Sequence, residues 1–175
     1  MLNKIKTKLA YFLIKKKYLL KTGPIYFNNI VSTAKDIFIV LPKNDNDFYH
    51  SLFILRYYLL HKKRVTIFLA AHRYNLIPEK EKYKYISYLP VEMNKFYLPG
   101  KKLIERLKVD KYDVLIDLNR DEDVFLTAVS CIVAAKLKIG FMKKDADFYY
   151  NLILTNQELE AEVCYKKMLN SLQMF

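Results

Sequence analysis

A chain of 175 residues that is 53% hydrophobic and 15% aromatic can bury one normal core, which excludes a disordered tail and suits one domain or half of a two-domain enzyme. The formal net charge of +12 favours anionic partners such as nucleic acid, acidic lipid head groups or phosphorylated substrates. The same Lys, Asn, Ile and Tyr enrichment is also what an AT-rich genome produces.

The opening MLNKIKTKLAYFLIKKKYLLKT, residues 1–22, carries seven Lys and no acid. Leu2, Ile5, Leu9, Phe12 and Leu19 fall near helical spacing, with lysines on the other faces. The run LAYFLI is too short for a signal-peptide core or a membrane span. The segment therefore reads as a basic amphipathic helix, either lying on an anionic membrane or packed against the domain. In KTGPIYFNN, Gly23 and Pro24 mark its end.

Strand and helix patterns then alternate over 36–156. DIFIVL (36–41) is a continuous apolar run, as expected of a strand buried on both faces. A helix is predicted from Asp47 to His61, with Leu52, Leu55, Leu59 and Leu60 as its core stripe. RVTIFLA (64–70) and KYISYL (84–89) read as strands, KKLIERLK (101–108) as a short helix and DVLIDL (113–118) as a fourth strand. DVFLTAVSCIVAAKL (123–137) reads as a buried helix, KIGF (138–141) and NLILT (151–155) as short strands, and 157–172 as a closing helix within a C-terminal segment, 157–175. This order predicts an α/β fold: a single Rossmann-like domain with a mainly parallel sheet flanked by helices and right-handed crossovers.

In such sheets ligands bind beyond the carboxyl ends of the strands. The first strand delivers PKNDND there and the fourth delivers NRDED. The chain's three glycines, Gly23, Gly100 and Gly140, all lie outside the first strand–helix turn, so neither a dinucleotide fingerprint nor a P-loop is present. A Gly-x-Ser-x-Gly elbow is absent too, which removes an α/β-hydrolase reading. Cys131 and Cys164 are far apart without a CxxC and read as reduced, buried thiols. His50, His61 and His72 share no ligand-like spacing, and Asp117, Asp121, Glu122 and Asp123 suit a helix N-terminus better than a cation, so no metal and no cofactor are expected. The Tyr–Lys alternation in HRYNLIPEKEKYKYISY fits an exposed strand as well as a nucleic-acid surface. Scarce arginine weakens base readout, so nucleic acid is the disfavoured partner.

NDFYHSLFILRYYLLHKKRVTIFLA resembles the opening of glycosyltransferase family 9, the lipopolysaccharide heptosyltransferases, where Gly-Asp-x-x-x-(Ser/Thr)-Leu-Pro-x-Leu leads into the first helix. KYDVLIDLNRDEDVFLTAVSCIVAAKLKIGF resembles the family's Tyr-Asp-(hydrophobic)-(hydrophobic)-Ile-Asp-Leu segment, its following helix and its Arg/Lys-Ile-Gly-Phe strand. ELEAEVCYKKMLNSL is similar to the helix leading toward the second half. The resemblance spans residues 36–172. It implies the N-terminal, acceptor-side half of a GT-B enzyme acting without metal in envelope glycan transfer, with Asp47 as general base. Asn46 stands where the family has glycine, and Phe53 where it has proline. Because the chain stops at Phe175, it is expected to be inactive alone, with the donor-binding half on a separate partner chain, or to act as a non-catalytic binding module. The alternative is a non-enzymatic membrane-peripheral or nucleic-acid-binding basic protein, and homo-oligomerisation is the other expected association. A cytoplasmic location follows, with peripheral contact to the inner face of the membrane through residues 1–22.

Two chemistries compete for Asp47. At a helix start its carboxylate can accept orphan backbone N–H bonds, worth about 0.5–2 kcal/mol; as a base it would take the acceptor's hydroxyl proton. His50 and Asn119 lie near the same strand ends as acceptor-binding candidates. Lys143 and Lys144, after the KIGF strand, could neutralise an acceptor phosphate.

Overall fold

The structure is a computed structural model that describes residues 2–19, 29–155 and 160–175. The break expected at Gly23–Pro24 and the start expected for the closing helix at 157 lie outside these residues. Six strands form one sheet: β1 (Asp36–Val40), β2 (Arg64–Ala70), β3 (Lys84–Tyr88), β4 (Lys111–Asp117), β5 (Ala134–Phe141) and β6 (Leu152–Leu154). Every neighbouring pair is parallel, in the order β3-β2-β1-β4-β5-β6. The chain leaves β1 on both sides, so the topological switch point lies between β1 and β4.

Alternate residues of the central strands feed two cores. Ile37, Ile39, Val114 and Ile116 face α3 (Asp45–Leu60) and α6 (Ala161–Leu172). Phe38, Val40 and Leu115 face α4 (Lys101–Leu107) and α5 (Val124–Ile132). Both faces being covered explains why β1 is apolar at successive positions rather than alternating. α1 (Leu2–Lys17) packs Ala10 and Ile14 against Ala128 and Cys131 of α5, so of the two placements open to the basic leader, packing on the domain is realised. α6 packs on α3, and a short helix, α2 (Ile30–Thr33), precedes β1.

Three expected elements differ. The apolar run 123–137 splits: α5 ends at Ile132, Val133 is extended, and Ala134–Leu137 pair with β4 as the start of β5. No Gly or Pro marks that break. Propensity favoured continuing the helix, but the free edge of β4 offers parallel-ladder hydrogen bonds. Lys138, buried on β5, donates to the terminal carbonyls of Ser130 (2.7 Å) and Cys131 (3.0 Å), closing the helix end. The α3 stripe is also rotated: Phe48, Ser51, Ile54, Leu55 and Tyr58 are buried, whereas Leu60 is 70% exposed. Finally, β4 begins at Lys111, two residues before the expected strand.

Of the Tyr–Lys segment 72–88, only Lys84–Tyr88 becomes strand, the edge strand β3, after 3-10 turns at Ala71–Leu76 and Lys80–Lys82. Its one lysine, Lys84, is exposed, as suits an open sheet edge that must resist unwanted pairing. Both cysteines are buried free thiols, and burial pushes the Cys131 thiol up to about 12. No helix among the described residues is long and apolar enough to cross a membrane.

Candidate functional site

The carboxyl ends of β1 and β4 bring the two predicted loops together. Asn44, not Asp47, caps α3: its side-chain oxygen accepts the Asp47 N–H at 3.2 Å. Helical geometry then turns Asp47, the third residue of the helix, inward, where it is only 2% exposed. Its Oδ1 accepts from Arg120 Nε (2.9 Å) and from an Arg120 terminal nitrogen (2.6 Å). This bond raises the guanidinium's pKa further above its ordinary value. The expected cap role thus belongs to Asn44, and the carboxylate proposed as a base is one half of a buried ion pair.

Asp117, at the end of β4, is fully buried and holds four donors. Lys143 Nζ lies at 3.0 Å, the Asn119 backbone N–H at 3.0 Å and the Asn119 amide at 2.7 Å; the Tyr150 hydroxyl is the fourth. Burial and this carboxylate push the Tyr150 phenol well above its ordinary range. Gly140 permits the arrangement, since a Cβ there would meet the Tyr150 ring at 2.7 Å. Asn119 also ties the loops together: its Oδ1 accepts the Lys43 N–H at 3.0 Å, while its amide reaches the Leu41 carbonyl at 3.4 Å. Asn119 and Lys143, expected to meet an acceptor, are therefore joined to Asp117.

The other candidates disperse. His50 lies half-buried on α3, within electrostatic reach of Glu162 on α6. Lys144 is exposed, and its backbone N–H donates to Glu122 Oε1 at 3.3 Å beside a cavity of about 360 Å³ that α1 roofs with Tyr11, Phe12 and Lys15. Asp123 caps α5, accepting the Leu126 N–H at 2.9 Å, and also pairs with Lys43 at 3.1 Å. Among the described residues no group of three His, Cys, Asp or Glu side chains is placed to hold a metal ion.

Arg73, outside the predicted set, organises the first loop. It is buried, lies 4.8 Å from the Phe48 ring centroid, and donates to the carbonyls of Pro42 (2.6 Å) and Lys43 (2.5 Å) and to Asp45. The loop consequently presents carbonyls to an arginine rather than N–H groups to a phosphate. A signal for these residues exists in composition. The chain has five arginines, and Arg64, Arg73, Arg106 and Arg120 each hold a carboxylate. In a lysine-rich chain, arginine marks positions that need a planar, multiply donating fork.

A second, smaller cavity at the carboxyl edge lies over β1, β2 and β3. It is about 150 Å³, with Pro42, His72, Tyr88, Met93 and Phe125 in its lining. The Tyr88 and Phe125 rings stand 4.7 Å apart beneath it, and burial raises the Tyr88 phenol to about 12. Typical ligand pockets are about 300–1,000 Å³; a space this small takes one ring-sized group, not a nucleotide.

No curated protein and no solved structure matches the chain. The sequence model of one family matches residues 6–175, essentially the whole domain described above. The chain therefore belongs to the family of unknown function designated DUF6913.

Proposed function

We propose that this protein is a binding module built on the acceptor-side half of a family 9-like glycosyltransferase. It holds a small saccharide-class group in the cavity above Tyr88 and Phe125, and Asp47 performs no proton transfer in this state. The observation that carries this reading is the commitment of Asp47 to Arg120 in a buried ion pair, while a cavity with aromatic lining lies apart from it over β1–β3. A base must be within hydrogen-bond reach of the proton it removes and have a lone pair to accept it. Here Oδ1 of the buried carboxylate already accepts from two guanidinium nitrogens. A donor-binding half supplied by a partner chain would have to draw Arg120 away, for example onto a sugar-nucleotide phosphate, before Asp47 could act.

The parallel sheet order and the position of the cavity support the ligand class. Aromatic faces beneath a ring-sized space suit the apolar face of a sugar, and His72 and Lys43 at the rim can meet its hydroxyls. The test is an NMR titration of the purified protein with monosaccharides and, separately, sugar nucleotides. Saccharides should perturb Tyr88 and His72 resonances saturably, at ~mM affinity for so small a contact. The His72→Ala variant should weaken that response. Turnover of a sugar nucleotide by the protein alone, abolished in Asp47→Asn, would refute the binding-module reading. No response to any saccharide would refute the ligand class.

A further inference from the structure

We propose that the outward face of α1 is a docking surface for an anionic lipid bilayer, on which the helix lies flat while its inner face stays packed on the domain. At 100° per residue, Ile5, Leu9 and Phe12 fall within about 60° of one another on the helix wheel. Ala10 and Ile14, the two fully buried positions, lie about 160° around the axis from that strip. Packing on α5 therefore fixes which face looks out.

That face is apolar where solvent exposure would favour polar residues: Ile5 is 63% exposed, Leu9 40% and Phe12 58%, with Phe12 and Lys8 at its margin, where they also edge the cavity beside Glu122 and Lys144. Lys16 is exposed within the same strip, and Lys8 is exposed about 40° beyond its edge. The first 22 residues contain seven Lys and no acid. An interfacial helix has this composition: apolar side chains enter the boundary of the acyl region, and lysines reach the head groups. Charge complementarity selects an anionic bilayer as the occupant. A nucleic acid would satisfy the lysines but offers the three apolar side chains no acyl phase. With no spanning helix among the described residues, α1 lies on the membrane and does not cross it.

The experiment is sedimentation of the full chain with phosphatidylcholine vesicles and with vesicles that also contain phosphatidylglycerol. The wild type should sediment with the anionic vesicles and stay in solution with the neutral ones. The double variant Leu9→Ser/Phe12→Ser should lower the partition coefficient at least ~10-fold, because two side chains no longer leave water. Lys8→Gln/Lys16→Gln should lower it by ~10-fold as well, since each lysine near an anionic surface contributes appreciably. Both pairs are exposed, so thermal unfolding should match wild type. Failure to bind anionic vesicles at low salt would overturn the proposal, as would equal binding to neutral vesicles. Binding left intact by the serine pair would also overturn it. None of these outcomes bears on saccharide binding over β1–β3.

Discussion

The two halves of the carboxyl edge solve opposite problems with similar residues. Over β4 and β5, Asp47, Asp117, Lys143, Asn119 and Tyr150 are buried or nearly so, and their polar groups are spent on one another and on Arg120. Over β1–β3, a small cavity has mostly apolar or aromatic walls and exposed rim groups, whereas the cavity on the other side lies farther out, between α1 and the loops after β4 and β5. A carboxylate at a strand end is therefore not by itself a sign of chemistry. What decides is whether its hydrogen-bonding capacity is already used inside the protein.

The sharpest way to break this contrast is at its most buried member. Asp117→Ala strands the Lys143 ammonium, whose side chain is 6% exposed, and should cost about 3–5 kcal/mol in chemical denaturation. A loss below about 1 kcal/mol would mean the closed half is not structural. Asp47→Ala should cost about 3 kcal/mol by the same logic, whereas Asp47→Leu/Arg120→Met should return to within about 1–2 kcal/mol of wild type. No recovery in the double variant would show that Arg120 has a second task beyond the pair.

A pH prediction concerns Lys138, under the same half. Burial pushes its ammonium down to about 8, from 10.5. Between these values the unfolded chain holds the proton and the folded one does not, so stability rises with pH. The Lys138 contribution should grow by roughly 2 kcal/mol between pH 8 and 10, read as wild type minus Lys138→Met. As pH approaches 10 the net trend should reverse, because Tyr58, Tyr149, Tyr150 and Tyr165 are raised above 10.0 by burial and ionise only on unfolding. Urea melts across this range check both limbs, and Lys138→Met should remove the rise.

Gly140→Ala should cost about 1–3 kcal/mol, by pushing the Tyr150 ring and loosening its bond to Asp117. On the open half, His72→Ala should change stability by less than about 0.5 kcal/mol while weakening saccharide binding. A large stability loss there would erase the distinction between the halves.

Much of the architecture was legible because burial on both faces leaves a plain mark. The apolar runs at 36–41, 64–70 and 113–118 each fall on a strand, and the alternation with helices implied parallel pairing. The all-parallel order β3-β2-β1-β4-β5-β6 and its switch point then followed the carboxyl-end rule to the loops PKNDND and NRDED. The α5–β5 boundary was illegible because it depends on the edge of β4, which no local residue announces. For the same reason, the cap fell to Asn44 rather than Asp47: three residues of helix phase separate an exposed oxygen from a buried one.

By itself, then, the sequence determined the α/β class, the loops that meet at the switch point, the basic leader helix and the lack of a glycine phosphate cradle. Those are properties of periodicity and composition, which act within a few residues. Only tertiary structure decided what the charged residues do. Arg120 lies 73 positions from Asp47, Tyr150 lies 33 from Asp117, and Arg73 reaches back 31 to the Pro42 carbonyl. Whether a carboxylate is a cap, a base or half of an ion pair depends on the partner that folding delivers to it in low dielectric, and that partner is distant in sequence.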